Sequence, residues 1–209
     1  MKQYRNNEPT VYLFSSSVSG VSVQQLAQLI NPLGPYRIQW DTQLKEIELL
    51  ERVNKVSFVD DKVYTDNRLL LLFEKVHDDI PNSLKIRRLM HSRLKGLVSE
   101  RETIDLCRFY NDGGRRVVVM TDTNHPSDVP KAGIVRARTH LSALVIEQNE
   151  NVGVDVTAIM QMSAFLIGLP TFFKESYFAN GITKFFEDMK KACQNNVIND
   201  HNYEMPPGW

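Results

Sequence analysis

Hydrophobic positions along the chain change period several times, and each change marks an element. Val11-Tyr12-Leu13-Phe14, followed by Ser15-Ser16-Ser17-Val18, is rich in strand formers and predicts a half-buried strand. Ser22 stands where an N-cap belongs. Behind it Val23, Leu26, Leu29 and Ile30 share one face of a short helix that Pro32 stops. Residues 45–53 fit either helix or strand. Residues 55–83 carry the least readable pattern, with Leu69-Leu70-Leu71-Leu72-Phe73 set between Asp60-Asp61 and Asp78-Asp79 as a buried strand or short helix. Residues 104–110 and 116–121 alternate as strands around the turn signal Asn111-Asp112-Gly113-Gly114. A loop over 124–130 leads into residues 133–148, predicted as one long strand. From Val154 the apolar residues Val154, Val156, Ala158, Met160, Met162 and Ala164 recur at every second position, which defines one face of a sheet.

After Gly168-Leu169-Pro170 the period becomes helical. Phe178, Ile182, Phe185, Met189 and Ala192 fall on one side, and Lys184, Glu187, Lys190 and Lys191 on the other. Asn180-Gly181 offers a place for this helix to bend. The order is therefore strand, short helix, a run of mostly antiparallel strands and a long C-terminal helix. An α+β arrangement meets this order, with a curved antiparallel sheet gripping one long helix. Such a grip leaves room for an internal cavity, and the Phe- and Met-rich helix face either lines that cavity or completes an ordinary core.

Composition narrows the function classes. At 209 residues one domain is expected, residues 1–194, with a polar C-terminal tail over 195–209 predicted to be poorly ordered. A formal net charge of +0 argues against nucleic acid as a partner. Cys107 and Cys193 lack any paired spacing, so a reducing compartment and no structural metal are expected. Residues 1–7 have no apolar signal region and no run reaches membrane-spanning length. A soluble, cytoplasmic protein is the expectation.

Catalytic chemistry finds little support. The histidines His77, His91, His125, His140 and His201 form no metal-ligand spacing, and neither a nucleophile elbow nor a phosphate loop is present. Cys107, among Ile104, Leu106 and Phe109, reads as a packed thiol rather than a nucleophile. No enzyme activity, no metal and no cofactor are expected. Two charged features remain. Arg37 and Asp41 lie four residues apart around Trp40, either as an exposed helical ion pair or as a guanidinium held by a carboxylate for an anion. Lys85, Arg87, Arg88, Arg93 and Lys95 form an acid-free basic cluster, a solvated edge or a membrane-facing patch for anionic lipid.

Taken in order, several motifs resemble the START (StAR-related lipid transfer) domain family. Arg37-Ile38-Gln39-Trp40-Asp41 is similar to its Arg-x-x-Trp-Asp signature, and Leu97-Val98-Ser99-Glu100-Arg101, with Leu106 beyond, to its Leu-Val-Ser-x-Arg-x-x-x-x-Leu pattern. His125-Pro126 and the run from Pro130 to Ala137 resemble the family's loop and Gly-x-x-Arg strand; Gly168-Leu169-Pro170 precedes the final helix. That helix ends in Phe185-Phe186-Glu187-Asp188-Met189-Lys190-Lys191, most similar to the phosphatidylcholine-transfer branch.

The resemblance implies a helix-grip fold, a lipid held in an internal cavity, and a C-terminal lid helix bearing Phe178, Ile182, Phe185 and Met189. It implies that Arg37 binds a lipid phosphate while Asp41 orients it. The positions that cage choline in the phosphatidylcholine-transfer branch correspond to Met90, Thr103, His140 and Gln161, none a Phe, Tyr or Trp, so a quaternary ammonium is not expected. The internal acid–arginine pair of the sterol-carrying branch corresponds to Arg88 and Cys107, so that pair is expected to be absent, leaving Arg88 as a second positive charge for an anionic headgroup. The family's first helix and first strand have no counterpart here, and surplus residues fall within 55–83. The expected function is non-enzymatic binding and intermembrane transfer of one lipid, a phospholipid rather than a sterol, through transient membrane contact by a monomer or an exposed-edge dimer. The alternatives are a lipid-sensing regulatory module, or a helix-grip enzyme built on His140 or Asp105.

Overall fold

Residues 3–4, 10–53, 83–92, 98–129, 131–150, 153–163, 171–195, 197–198, 205–206 and 208–209 are described in a computed structural model of the chain. The unreadable stretch over 55–83 falls outside the described residues except for Ser83, as do Gly168-Leu169-Pro170, Arg93 and Lys95.

Strands β1 (Gln3–Tyr4), β2 (Val11–Ser19), β3 (Leu44–Val53), β4 (Ser83–Met90), β5 (Arg101–Asp112), β6 (Arg115–Asp122), β7 (Val135–Arg136), β8 (Arg138–Thr139), β9 (Ser142–Gln148) and β10 (Gly153–Ser163) form one sheet. Its order is β1-β2-β10-β9-β6-β5-β4-β3, with β7 on β5 and β8 on β10. All the pairs along the main path are antiparallel. Helices α1 (Val23–Ile30) and α2 (Tyr36–Trp40) follow β2, and α3 (Thr171–Gln194) packs against the inner face.

Local chemistry explains most of these elements. Ser22 opens α1 with a reciprocal capping box: Gln25 N donates to Ser22 Oγ at 3.1 Å and Ser22 N to Gln25 Oε1 at 2.9 Å. The β5–β6 hairpin closes through Gly113 and Gly114, whose φ of 58° and 88° suit a two-residue turn with both central residues left-handed. Period two carries Val154, Val156 and Ala158 of β10 into the core. Residues 45–53, ambiguous in sequence, resolve as strand.

Three expectations change. Residues 133–148 are three short strands rather than one long one, because the chain leaves a parallel contact with β5 at Val135–Arg136 and crosses to pair with β10 and then β6. Helix α3 continues through Asn180-Gly181 without interruption. The tail is anchored: Val197, Ile198, Met205 and Trp209 pack on the core and Pro206 is buried. Its polar average hid four well-spaced apolar residues.

Among the described residues no helix is long and apolar enough to cross a membrane, and no His/Cys/Asp/Glu group is arranged to hold a metal ion.

Candidate functional site

The inner face of the sheet and helix α3 enclose a cavity of about 180 Å³. Alternation along the strands delivers its walls: Ile86, Arg88 and Met90 from β4, Cys107 and Phe109 from β5, Met160 and Met162 from β10. Phe178, Ile182 and Phe185 supply the α3 side, with Gly181 among them. The lining is mostly apolar, and its charges gather at one end.

Arg37 and Asp41 are at that end. The five residues of α2 place them one turn apart, and Trp40 Nε1 donates to Leu29 O at 2.9 Å, tying α2 to the end of α1. Arg37 Nη2 meets Asp41 Oδ2 at 2.5 Å, with the two side chains 15% and 2% exposed. The exposed-pair reading is therefore excluded by burial. Arg37 Cζ lies 4.8 Å from the Trp40 ring and 4.8 Å from the Phe185 ring, so both aromatic faces are already occupied by a cation. Asp41 Oδ1 accepts from Gln43 N at 3.1 Å, which fixes the carboxylate. Arg37 Nε is buried without a hydrogen-bond partner among the described residues. Burial lowers the pKa of Arg37; Asp41 opposes the shift and nearby Arg88 adds to it. An anion here would relieve that penalty.

Arg88 departs from expectation. Its Nε donates to Asp105 Oδ2 at 2.8 Å and its Nη2 lies 2.7 Å from the same oxygen, with Thr103 Oγ1 donating to it at 2.6 Å. Arg88 Nη2 also reaches Thr139 Oγ1 at 3.2 Å. Burial opposes the Arg88 charge, but Asp105 outweighs it and the guanidinium is held above its ordinary pKa. Arg88 is thus not a free second cation. An internal acid–arginine pair exists across β4 and β5, with Asp105 rather than position 107 supplying the acid. Cys107 is a packed thiol whose pKa is raised by burial.

Met90 lines the cavity. Thr103 is fully buried and supports Asp105 from behind the lining. His140 and Gln161 are not among the lining residues. His140 Nε2 pairs with Ser163 Oγ at 2.7 Å, and Gln161 follows the alternation of β10 onto the face opposite Met160 and Met162. Met189 is wholly buried core rather than cavity wall. Lys85 and Arg87 point to the outer face, Lys85 beside Glu51 at 3.4 Å and Arg87 between Glu48 at 2.6 Å and Glu102 at 3.5 Å. Their charges are matched by acids from β3 and β5, strands that no local run of sequence displays.

Two residues quoted above only as parts of motifs bear on the site. Arg101, 6% exposed, lines the cavity and donates to Ser99 O at 2.5 Å and Ser99 Oγ at 2.7 Å. Burial lowers its pKa, with Tyr177 opposing. The signal was available, because Arg101 stands an even number of residues before Asp105, Cys107 and Phe109. Asp188 is the other. It accepts from Thr42 N at 3.3 Å and Thr42 Oγ1 at 2.6 Å and pairs with Lys184, latching α3 to the segment after α2.

A START domain family model matches residues 76–198, more than half of the chain. Human StAR-related lipid transfer protein 5 is similar in structure, with a TM-score of 0.69 at 18% identity over 94% of this chain and 87% of that one. Human STARD10 superposes with a TM-score of 0.67 at 16% identity, over 94% and 74% of the two chains. The human StarD13 (DLC2) lipid transfer and protein localization domain gives 0.57 at 14% identity, over 93% and 80%. At these identities the likeness is one of fold, and it matches the helix-grip architecture. No curated protein matches the chain in sequence.

Proposed function

The chain belongs to the START domain family, and from that premise we propose that it binds one lipid in the cavity and carries it between membranes, with the lipid phosphate at Arg37. One observation carries this reading: a buried guanidinium faces the cavity, steadied by Asp41, with Nε lacking a partner among the described residues. A phosphate supplies the missing acceptor and the missing negative charge. Apolar walls take the acyl portion, at roughly 0.8 kcal/mol per buried methylene. The resident cation on Trp40 and Phe185 argues for a headgroup other than choline. At about 180 Å³ the cavity is small for a two-chain lipid, so loading requires its walls to move apart.

The test uses the full chain purified from a eukaryotic host. Native mass spectrometry reads the captured lipid, and vesicles carrying labelled phospholipid read transfer. Arg37→Ala is expected to reduce phospholipid capture per folded molecule roughly tenfold or more, the scale of one lost charge-assisted hydrogen bond, beyond the stability lost by leaving Asp41 buried without its cation. Protein that carries no lipid and moves none would end the proposal. Loading that alters a protein partner's affinity without transfer would favour the sensing alternative.

The Arg88–Asp105 pair supports a second reading, in which a lipid hydroxyl, such as that of a sterol, docks at Arg88, the member of the pair that lines the cavity. Asp105 Oδ1 has no hydrogen-bond partner among the described residues. Vesicles containing both labelled lipids separate the two: Arg37→Ala should lose phospholipid selectively, and the double variant Arg88→Met with Asp105→Leu, which removes both buried charges, should lose sterol.

A further inference from the structure

The segment bearing Met205 and Trp209 enters the site without belonging to the sheet or to α3. Trp209 lines the cavity, its ring lies 5.0 Å from Phe109 edge to face, and its Nε1 donates to Val117 O at 3.0 Å. Gly208 makes the approach possible: a Cβ there would lie 2.2 Å from Phe109 O, and its φ is 93°. Upstream, Met205 Sδ meets Asn31 Nδ2 at 4.0 Å, pinning the segment beside α1.

The position along β5 gives this contact a meaning. Phe109 and its β6 partner Val118 are the last described lining residues before the hairpin turn. The Arg88 guanidinium is held by Asp105, four residues earlier on β5, about 13 Å away at roughly 3.3 Å per residue. Arg37 and Asp41 act electrostatically on or with Arg88 and so belong to that same charged end. The cavity therefore has a charged end at Arg37 and Arg88, and an apolar end closed by an indole.

We propose that Trp209 is the end wall of the cavity and sets the length of acyl chain that it accepts. This rests on the reading that a lipid phosphate anchors at Arg37, because a gauge measures only from a fixed origin. A chain anchored at the charged end extends until it meets the ring, and further methylenes must remain in water.

The test titrates the full chain with monoalkyl phosphates from about eight to about sixteen carbons, below their micelle thresholds. Affinity of the unmodified protein should rise about fourfold per methylene up to a break, and then level off. In Trp209→Ala the break should move to longer chains, raising affinity for the longest probe by roughly tenfold or more. Trp209→Phe, which keeps a ring, should leave the break near its original place. Should Trp209→Ala prove too unstable, Trp209→Leu reads the same shift at smaller size. A break at the same length in all folded variants overturns the gauge while leaving the phosphate anchor intact. No binding of any alkyl phosphate, by the unmodified protein or the variants, overturns both.

Discussion

Asp105→Ala should destabilise the protein far more than the pair it breaks is worth. Asp105 is wholly buried and receives the Arg88 guanidinium at 2.7–2.8 Å together with the Thr103 hydroxyl at 2.6 Å. Removing the carboxylate leaves the Arg88 charge buried without its acid, a loss of about 3–5 kcal/mol. For a domain of this size each kcal/mol shifts the midpoint by about 2–4 °C, so a fall of roughly 6–20 °C is expected. Asp105→Asn keeps an acceptor for Thr103 but not the charge, and should approach the alanine variant. The double variant Arg88→Met with Asp105→Leu removes both charges and should recover most of the loss, since apolar replacement of a buried pair is often neutral. Urea and thermal unfolding followed by circular dichroism, with the singles Arg88→Met and Asp105→Leu added, give all the corners of the cycle. Asp105→Ala costing less than about 1 kcal/mol, or a double variant as unstable as the sum of its singles, would refute the argument.

Two further variants test the seating of α3. Burial opposes the Asp188 charge, but the Lys184 and Thr42 hydrogen bonds outweigh it, so its pKa lies below the ordinary 3.8. A depressed acid stabilises the fold above its unfolded pKa and loses that contribution as pH falls through the lower folded value. Asp188→Asn should therefore weaken the protein near neutrality and flatten its loss of stability below about pH 4; urea midpoints at neutral and acid pH read this, and parallel pH curves for the two proteins would contradict it. Met189→Ala, at a wholly buried position of α3 outside the cavity lining, should cost about 2–5 kcal/mol with lipid capture per folded molecule unchanged, as native mass spectrometry would show.

Much of the fold was legible because period and caps are local signals. Ser22 and Gln25, the paired glycines after β5, and the alternation from Val154 to Met162 all act through neighbours in sequence. The same alternation already placed Gln161 on the outer face and Arg101 on the inner face with Cys107 and Phe109. Comparison with the family's choline positions obscured the placement of Gln161. Pairing across strands was not legible. Asp105 answers Arg88 because β4 and β5 run antiparallel in one register, while Glu48 and Glu102 neutralise Arg87 from two different strands. An acid-free stretch of sequence was thus surrounded by acids in space. Trp209 was hidden for a related reason: Pro206-Pro207-Gly208 reads as a chain end, whereas Gly208 is what lets the indole reach Phe109.

The β2–β10 pairing also constrains when the protein can work. Ser15 and Thr157, 142 residues apart, face each other across it. At roughly 5–20 residues synthesised per second, β2 waits about 7–30 s for its partner. Until then its Tyr12 and Phe14 have no second wall, and the chamber that needs Tyr12, Met160 and Phe178 together does not exist. The cavity can form only after the residues of α3 have left the ribosome. Throughout that interval the β10 edge of β2 stays open to chaperones and to aggregation.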